Sequence, residues 1–156
     1  SMAVLGRNQL VAQNRKARHE YSIEEDIETG LILMGSEVKS LRNGRASLGE
    51  AYAVEKNGEL FLINAHFSEY APANRFGHEP RRPRKLLLHK RELTRLLGLV
   101  RRNGYTLVPL ALRFNDRGIA KLNLGLAKGK RKQDKRQDVK QRDWDRQKAR
   151  LLRDKG

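Results

Sequence analysis

The fold is decided by one stretch of the chain: Tyr105-Thr-Leu-Val-Pro-Leu-Ala-Leu-Arg-Phe114, then Asn115-Asp-Arg-Gly118, then Ile119-Ala-Lys-Leu-Asn-Leu-Gly-Leu126. Two apolar segments flank a short polar turn, which predicts an antiparallel pair of strands. The second segment alternates its leucines with Lys121, Asn123 and Gly125, as a strand with one buried face does. We therefore expect one face to belong to the core and the other to present Lys121 to solvent or to a partner.

The flanking regions carry further local signals. Asn57-Gly58 separates Ala51–Val54 from Glu59–Ala65, and this dipeptide is typical of a two-residue hairpin turn. Residues 89–103 carry apolar side chains at helical spacing and stop before Gly104, which predicts an amphipathic helix. The apolar stripe of this helix consists of Leu93, Leu96, Leu97 and Val100.

Nearer the N-terminus, His19–Leu33 is predicted to be extended and Glu37–Arg42 to be a short helix that ends at Asn43-Gly44. Residues 72–83 combine prolines with Gly77 and several arginines, which predicts a loop outside the core. Strands outnumber helices, so the chain is predicted to be mainly β, a small antiparallel barrel with a few short helices.

The chain divides into three predicted parts: a flexible N-terminus (1–13), the barrel (14–127) and a basic tail (128–156). Ser1, ahead of Met2, has the form of a cloning addition and is left out of the fold prediction. The tail holds 13 Lys and Arg against 5 Asp, a net charge of +8 and half of the chain's +16. Its few apolar residues cannot build a core, so we expect it to be disordered alone.

This charge predicts a polyanionic partner, of which nucleic acid is the commonest. Basicity for solubility alone is the weaker alternative, because added acidic residues serve solubility better. The chain has no cysteine, which excludes disulfides, thiolate nucleophiles and Cys-ligated metals. No signal-peptide segment or membrane-length apolar run occurs, so we expect a cytoplasmic protein without a membrane partner.

The remaining chemical patterns are weak, and we expect no cofactor. The four histidines (His19, His66, His78 and His89) show no helical pairing and are predicted to lie on the surface, with a metal site assembled in space left open. Gly125-Leu-Ala-Lys-Gly129-Lys130 is one residue short of a phosphate loop and lacks its Ser or Thr. The carboxylates of Glu24, Asp26 and Glu28 alternate along a predicted strand and indicate a solvated face. A magnesium-dependent nuclease that uses them is kept as an alternative.

Five motifs follow one another from about Asn14 to the end: Ala17-Arg-His-Glu-Tyr21, Glu28-Thr-Gly-Leu31, Gly35-Ser-Glu-Val-Lys-Ser-Leu-Arg42, Arg84-Lys-Leu-Leu-Leu-His-Lys-Arg-Glu-Leu93 and Leu126-Ala-Lys-Gly-Lys-Arg-Lys-Gln-Asp-Lys-Arg136. Their order and spacing resemble those of the SsrA-binding protein (small protein B) family, the bacterial partner of transfer-messenger RNA. The resemblance implies an OB-like antiparallel barrel with a few short helices, in agreement with the fold predicted above.

The resemblance implies a non-enzymatic role in ribosome rescue by trans-translation. The protein is expected to bind the tRNA-like domain of transfer-messenger RNA and deliver it to a stalled ribosome. Its tail is expected to occupy the small-subunit decoding centre and the empty mRNA channel. The implied partners are transfer-messenger RNA and the ribosome, and we expect a monomer. A generic OB-type ribosomal protein, which binds subunits irrespective of transfer-messenger RNA, stays as the second alternative.

The resemblance also implies roles for single residues. Glu28, Leu87 and Lys121 match positions implicated in gripping the tRNA-like domain. A lysine can meet phosphate, a leucine can pack on an unstacked base, and a carboxylate can accept from a base or a 2′-hydroxyl. Leu87 could equally belong to the core. Arg18 and His19 are weaker candidates for ribosomal RNA contact.

In the tail, the motif that the family uses at the decoding centre matches Lys128, Lys130, Arg131, Asp134, Lys135 and Arg136. Gln133 stands where family members can carry histidine, so an imidazole-dependent role there is in doubt. Trp144 is the one large anchor, by stacking or by a cation–π contact. We expect the tail to become helical on an RNA groove that neutralises it, and a merely solvated tail is the alternative.

Overall fold

The computed structural model describes residues 4–69, 77–130 and 132–154. Within these residues, nine strands and four helices follow one another. They are β1 (Leu10–Gln13), α1 (Ala17–Glu20), β2 (Tyr21–Leu31), α2 (Gly35–Arg42), β3 (Ala46–Ser47), β4 (Tyr52–Lys56), β5 (Glu59–Ile63), β6 (His66–Phe67), β7 (Arg84–Leu87), α3 (Lys90–Asn103), β8 (Thr106–Phe114), β9 (Ala120–Gly129) and α4 (Lys132–Asp154).

Seven strands form one antiparallel sheet in the order β1-β8-β9-β2-β7-β5-β4, and β3 pairs with β6 beside it. The sheet curls until β4 lies against β8, although no strand ladder joins its two edges within the described residues. The prediction of a mainly β, OB-like antiparallel fold is confirmed, with a sheet that is curled rather than closed.

The β8–β9 hairpin forms as its sequence predicts. The Asn115 side chain accepts hydrogen bonds from the backbone N–H groups of Arg117 (3.0 Å) and Ile119 (2.9 Å), which closes the turn. Gly118 takes the left-handed conformation there, with φ at +76°. The register shifts between Pro109 and Ala111, because proline has no N–H to give to the ladder.

Two further local predictions are confirmed, the Asn57-Gly58 turn and the amphipathic helix that stops before Gly104. Asn57 and Gly58 both have positive φ, as the turn between β4 and β5 requires. Helix α3 buries Leu96 and Leu97 and ends at Gly104 in the left-handed conformation. The core lies inside the curl of the sheet and is built mainly from leucines. Its fully buried members include Leu41, Leu62, Leu96, Leu112, Leu122 and Leu124.

The sheet begins earlier than the predicted boundary at Asn14. Strand β1 pairs with β8, and further upstream the Leu5 N–H donates to the Arg42 carbonyl oxygen at 2.7 Å. Helix α1 is likewise not predicted, and it includes His19 and Glu20, so the segment predicted to be extended over His19–Leu33 is a strand only over Tyr21–Leu31. Neither element has a periodic apolar pattern, and β1 is held by pairing with a strand about a hundred residues away in sequence.

The prediction of a loop wholly outside the core is wrong for its second half. Residues 70–76 lie outside the described residues, but His78 is only 2% exposed, and the strand after the loop begins with the fully buried Arg84. The His78 ring bonds the Phe67 carbonyl oxygen (2.7 Å) and the Ser36 hydroxyl (2.9 Å). The surface prediction therefore fails for His78, because both ring nitrogens find partners inside the protein.

Glu37 of α2 is the centre of this buried polar cluster. It is fully buried and forms ion pairs with Arg84 and Arg82, both at 2.5 Å. Burial would raise the pKa of Glu37, but hydrogen bonds from Arg82, the Met34 N–H and Arg84 outweigh it and lower the pKa below its ordinary value. Burial lowers the pKa of Arg84, which Glu37 partly opposes. The pair fastens the start of β7 to α2.

Candidate nucleic-acid interface

Strand β2 forms the centre of the outer face of the sheet, the side turned away from the core. Glu24, Asp26 and Glu28 are exposed at alternate positions, as the sequence predicts. Each carboxylate accepts a hydrogen bond from a neighbouring side chain, which holds it in place. The donors are Tyr105 to Glu24 (2.7 Å), Asn123 to Asp26 (2.9 Å) and Arg113 to Glu28 (3.5 Å).

Gly30 lies between two of the residues that are predicted to contact RNA from the body, the part of the chain before the tail. It lies opposite Leu87 of β7 on one side and opposite Lys121 of β9 on the other. A Cβ on Gly30 would lie 3.2 Å from the Cβ of Leu87, so glycine permits this close approach. Glu28 lies two residues earlier on the same face. The four residues line one open cavity of about 570 Å³, which we call the Glu28 site.

Leu87 does not belong to the core. Its side chain is 46% exposed, whereas the preceding Leu86 is buried. The alternation along β7 explains the difference, since Arg84 and Leu86 point inward while Lys85 and Leu87 point outward. The core alternative is therefore wrong, and an exposed leucine stands beside a lysine and a carboxylate.

The acidic residues around the Glu28 site are paired with cations. Arg95 of α3 bonds Glu25 of β2 (2.9 Å) and Glu92 (2.6 Å). The hydrogen bond from Arg95 lowers the pKa of Glu92, and the bonds to Glu92 and Glu25 raise the pKa of Arg95. Lys121, by contrast, forms no ion pair within the described part of the chain. The site thus offers one unpaired cation to a phosphate.

Arg18 and His19 lie farther along the same face, outside the Glu28 site. Arg18 lines a cavity of about 250 Å³ together with Arg15, Asp26, Arg113 and Asn123. Two buried polar atoms in this region, His19 Nδ1 and Asn123 Oδ1, have no hydrogen-bond partner. Unpaired buried polar atoms are rare in proteins and often mark the place of a missing partner.

The tail continues from β9 as helix α4. Lys128 lies at the end of β9 with its Nζ 4.5 Å from the centre of the Tyr105 ring, and the Lys130 N–H donates to the Glu20 carbonyl oxygen at 3.1 Å. Arg131 lies outside the described residues. Asp134, Lys135 and Arg136 belong to the first two turns of α4.

Helix α4 exposes its apolar residues. Trp144 is 53% exposed, and Val139, Leu151 and Leu152 are similarly open to solvent. Where α4 passes over α1 the two helices enclose a cavity of about 340 Å³, here named the α1–α4 cavity. Its described lining residues are Arg15, Arg18, His19, Lys130, Gln141 and Arg142. That the tail orders only on a partner stays a prediction.

Sequence reasoning did not single out Arg15, Arg113 or Asn123 as site residues. For Arg113 the signal was present, because it lies between the buried Leu112 and Phe114 and alternation sends it outward. Among the described residues no group of His, Asp and Glu could hold a metal ion. The described helices include none that is both long and apolar enough to span a membrane.

Comparisons with known proteins agree with this arrangement. The family model for SmpB protein matches residues 11–154. The SsrA-binding protein of Rhodospirillum rubrum is 60% identical over 94% of this chain and 92% of its own, and that of Afipia carboxidovorans is 58% identical over 94% of both. A solved structure, described as "tmRNA-SmpB: a journey to the center of the bacterial ribosome", is 47% identical over 88% of this chain and 95% of its own, with a TM-score of 0.64.

Proposed function

The chain belongs to the SmpB protein family. We propose that it binds transfer-messenger RNA, the SsrA RNA, and delivers it to stalled ribosomes for trans-translation. Its relatives are SsrA-binding proteins, and its structural neighbour comes from work on tmRNA-SmpB and the bacterial ribosome. It therefore acts in the cytoplasm, where ribosomes work, as a monomeric adaptor that performs no catalysis.

Glu28, Leu87 and Lys121 line one cavity. This arrangement is the main support for the roles that we propose for these residues. Lys121 pairs with an RNA phosphate, and the half-exposed Leu87 supports an unstacked base or a sugar. Glu28 accepts a hydrogen bond from a base amino group or a 2′-hydroxyl. Since 2′-hydroxyls and unpaired bases distinguish a folded RNA loop from duplex DNA, the three residues together favour a folded RNA such as the tRNA-like domain over duplex DNA.

The proposed role of the tail differs from that of the Glu28 site. The tail is proposed to enter the decoding centre and the empty mRNA channel, where its cations neutralise ribosomal RNA. Lys128 and Lys130 stand at the junction between body and tail, and Arg131, Asp134, Lys135 and Arg136 follow. Trp144 supplies a large surface for stacking.

The test is a gel-shift titration of the full chain with transfer-messenger RNA and with bulk tRNA at physiological salt. We expect a clear preference for transfer-messenger RNA, and Lys121→Ala and Glu28→Ala should each weaken that binding by about 1–3 kcal/mol. Lys56→Ala removes an equal charge from the exposed end of β4 and should change the affinity little. Equal, salt-labile binding to both RNAs would overturn the proposal and favour a general ribosomal RNA binder.

A further inference from the structure

The α1–α4 cavity is basic on both of its sides. Arg15 and Arg18 come from the body, Arg142 comes from the tail helix, and Lys130 lies at the junction. None of the described residues that line the cavity is acidic. A depression that gathers four cations from two separate parts of a chain is a built electrostatic feature rather than a solvated face.

These charges oppose the contact between tail and body. Arg15, Arg18 and Arg142 form no ion pair within the described residues. Like charges repel, and they do so more strongly at a protein surface than in bulk water. This repulsion opposes the docked position of α4, and an anion in the cavity would offset it.

The chemistry of the lining identifies the anion. Arginine presents a planar fork of N–H donors that suits phosphate oxygens, and a tetrahedral phosphate can receive forks from several directions at once. His19 adds an imidazole ring to the lining. A volume of about 340 Å³ leaves ample room for one phosphate with its water.

We propose that the α1–α4 cavity is a phosphate-binding site whose occupation docks the tail helix on the body. Arg18 holds the phosphate from the body and Arg142 holds it from the tail. Because binding and docking use the same contacts, phosphate favours the helical tail, and the helical tail favours phosphate by the same factor. On RNA, a backbone phosphate at this point would therefore set the direction in which the tail leaves the body. This goes beyond RNA delivery, since it is a property of the chain alone.

The experiment titrates the full chain with inorganic phosphate against chloride at constant ionic strength. Circular dichroism at 222 nm follows the helix, and the fluorescence of Trp144 follows the tail. We expect the ellipticity at 222 nm to become more negative, the fluorescence to change with the same midpoint, and both responses to saturate. Arg18→Gln and Arg142→Gln should each move the midpoint to a phosphate concentration about fivefold higher or more.

Two matched variants separate a site from general screening. Lys140→Gln removes the same charge two residues before Arg142, on nearly the opposite side of the helix. Arg117→Gln removes it from the exposed β8–β9 turn. Both should shift the midpoint by less than about twofold. Combining Arg18→Gln with Arg142→Gln should shift it by less than the product of the single effects, because both side chains hold one anion. Equal shifts in all four single variants, or no saturable response of the parent chain, would overturn the proposal.

Discussion

The sheet and helix α4 hold their side chains in opposite ways. The sheet fixes its outer residues by buried neighbours on the other face, and leucines such as Leu122 and Leu124 are fully buried beneath Lys121 and Asn123. From Val139 onward, helix α4 lacks such buried neighbours, since Trp144 and Leu152 are 53% and 69% exposed. The sheet therefore holds its outer side chains in position, whereas we expect the tail to depend on its surroundings for its shape.

The largest expected difference between the two regions is in amide hydrogen exchange. In phosphate-free buffer, the amides of Leu122 and Leu124 should exchange only on global unfolding, with protection of about ten thousandfold or more. Amides of residues 140–150 should be protected less than about tenfold, because an isolated helix of this composition frays. Mass spectrometry or NMR resolves the two regions. Comparable protection in both would show that the tail is a packed part of the body.

The second test concerns the buried Glu37–Arg84 ion pair and its contribution to the stability of the body. Glu37→Ala leaves Arg84 buried without its partner and should lower the free energy of unfolding by about 3–5 kcal/mol in a urea titration. The control is Glu59→Ala, which breaks the exposed 3.1 Å pair with Lys85 and should cost less than about 1 kcal/mol. Equal losses in the two variants would mean that the buried cluster has no special part in holding the sheet.

Glu37 should also make the free energy of unfolding of the body depend on pH in the acid range, an effect that the tail should not show. The pKa of Glu37 in the folded protein lies below its ordinary value of 4.5. Its contribution is therefore complete above the unfolded pKa and is lost as the pH falls through the folded pKa. Unfolding free energies measured from pH 7 to pH 3 should decline less steeply in Glu37→Gln than in the parent chain. If the unfolding free energies of the two proteins declined in parallel, Glu37 would not be the source of the pH dependence.

The smallest expected effect is that of the tail on the body. Deleting residues 132–156 should change the free energy of unfolding of the sheet by less than about 0.5 kcal/mol, because α4 buries little apolar surface. The shortened chain should keep most of its affinity for transfer-messenger RNA but fail to tag stalled chains in a reconstituted translation system. A large loss of RNA affinity would assign the tail a share of RNA capture.

Local sequence signals predicted the elements that depend on local chemistry. The Asn57-Gly58 turn, helix α3 and the β8–β9 hairpin each follow from a few neighbouring residues. Lys121 faces outward because strand alternation is a local property as well. For Glu28, Leu87 and Lys121 the family resemblance named the residues, and only the register of three strands shows that they share a cavity.

The interactions that sequence reasoning missed are distant in the chain. Glu37 and Arg84 are 47 positions apart, and His78 meets Ser36 across 42. Charged residues and histidine are ordinarily found at the surface, so composition alone argued against their burial. Strand β1 escaped prediction for a similar reason, since four residues without periodicity become a strand only beside β8.

Strand β9 runs from one functional region to the other without a break. Lys121 lies near its start and Gly129 ends it, and β8 and β2 pair with it on both sides. At about 3.4 Å per residue, the strand sets roughly 27 Å between Lys121 of the Glu28 site and Gly129 at the root of the tail. The number of residues in β9 therefore fixes the distance between the two regions. A single inserted residue would turn Lys121 to the opposite face, so length changes in this protein must accumulate elsewhere, in loops or beyond the end of α4.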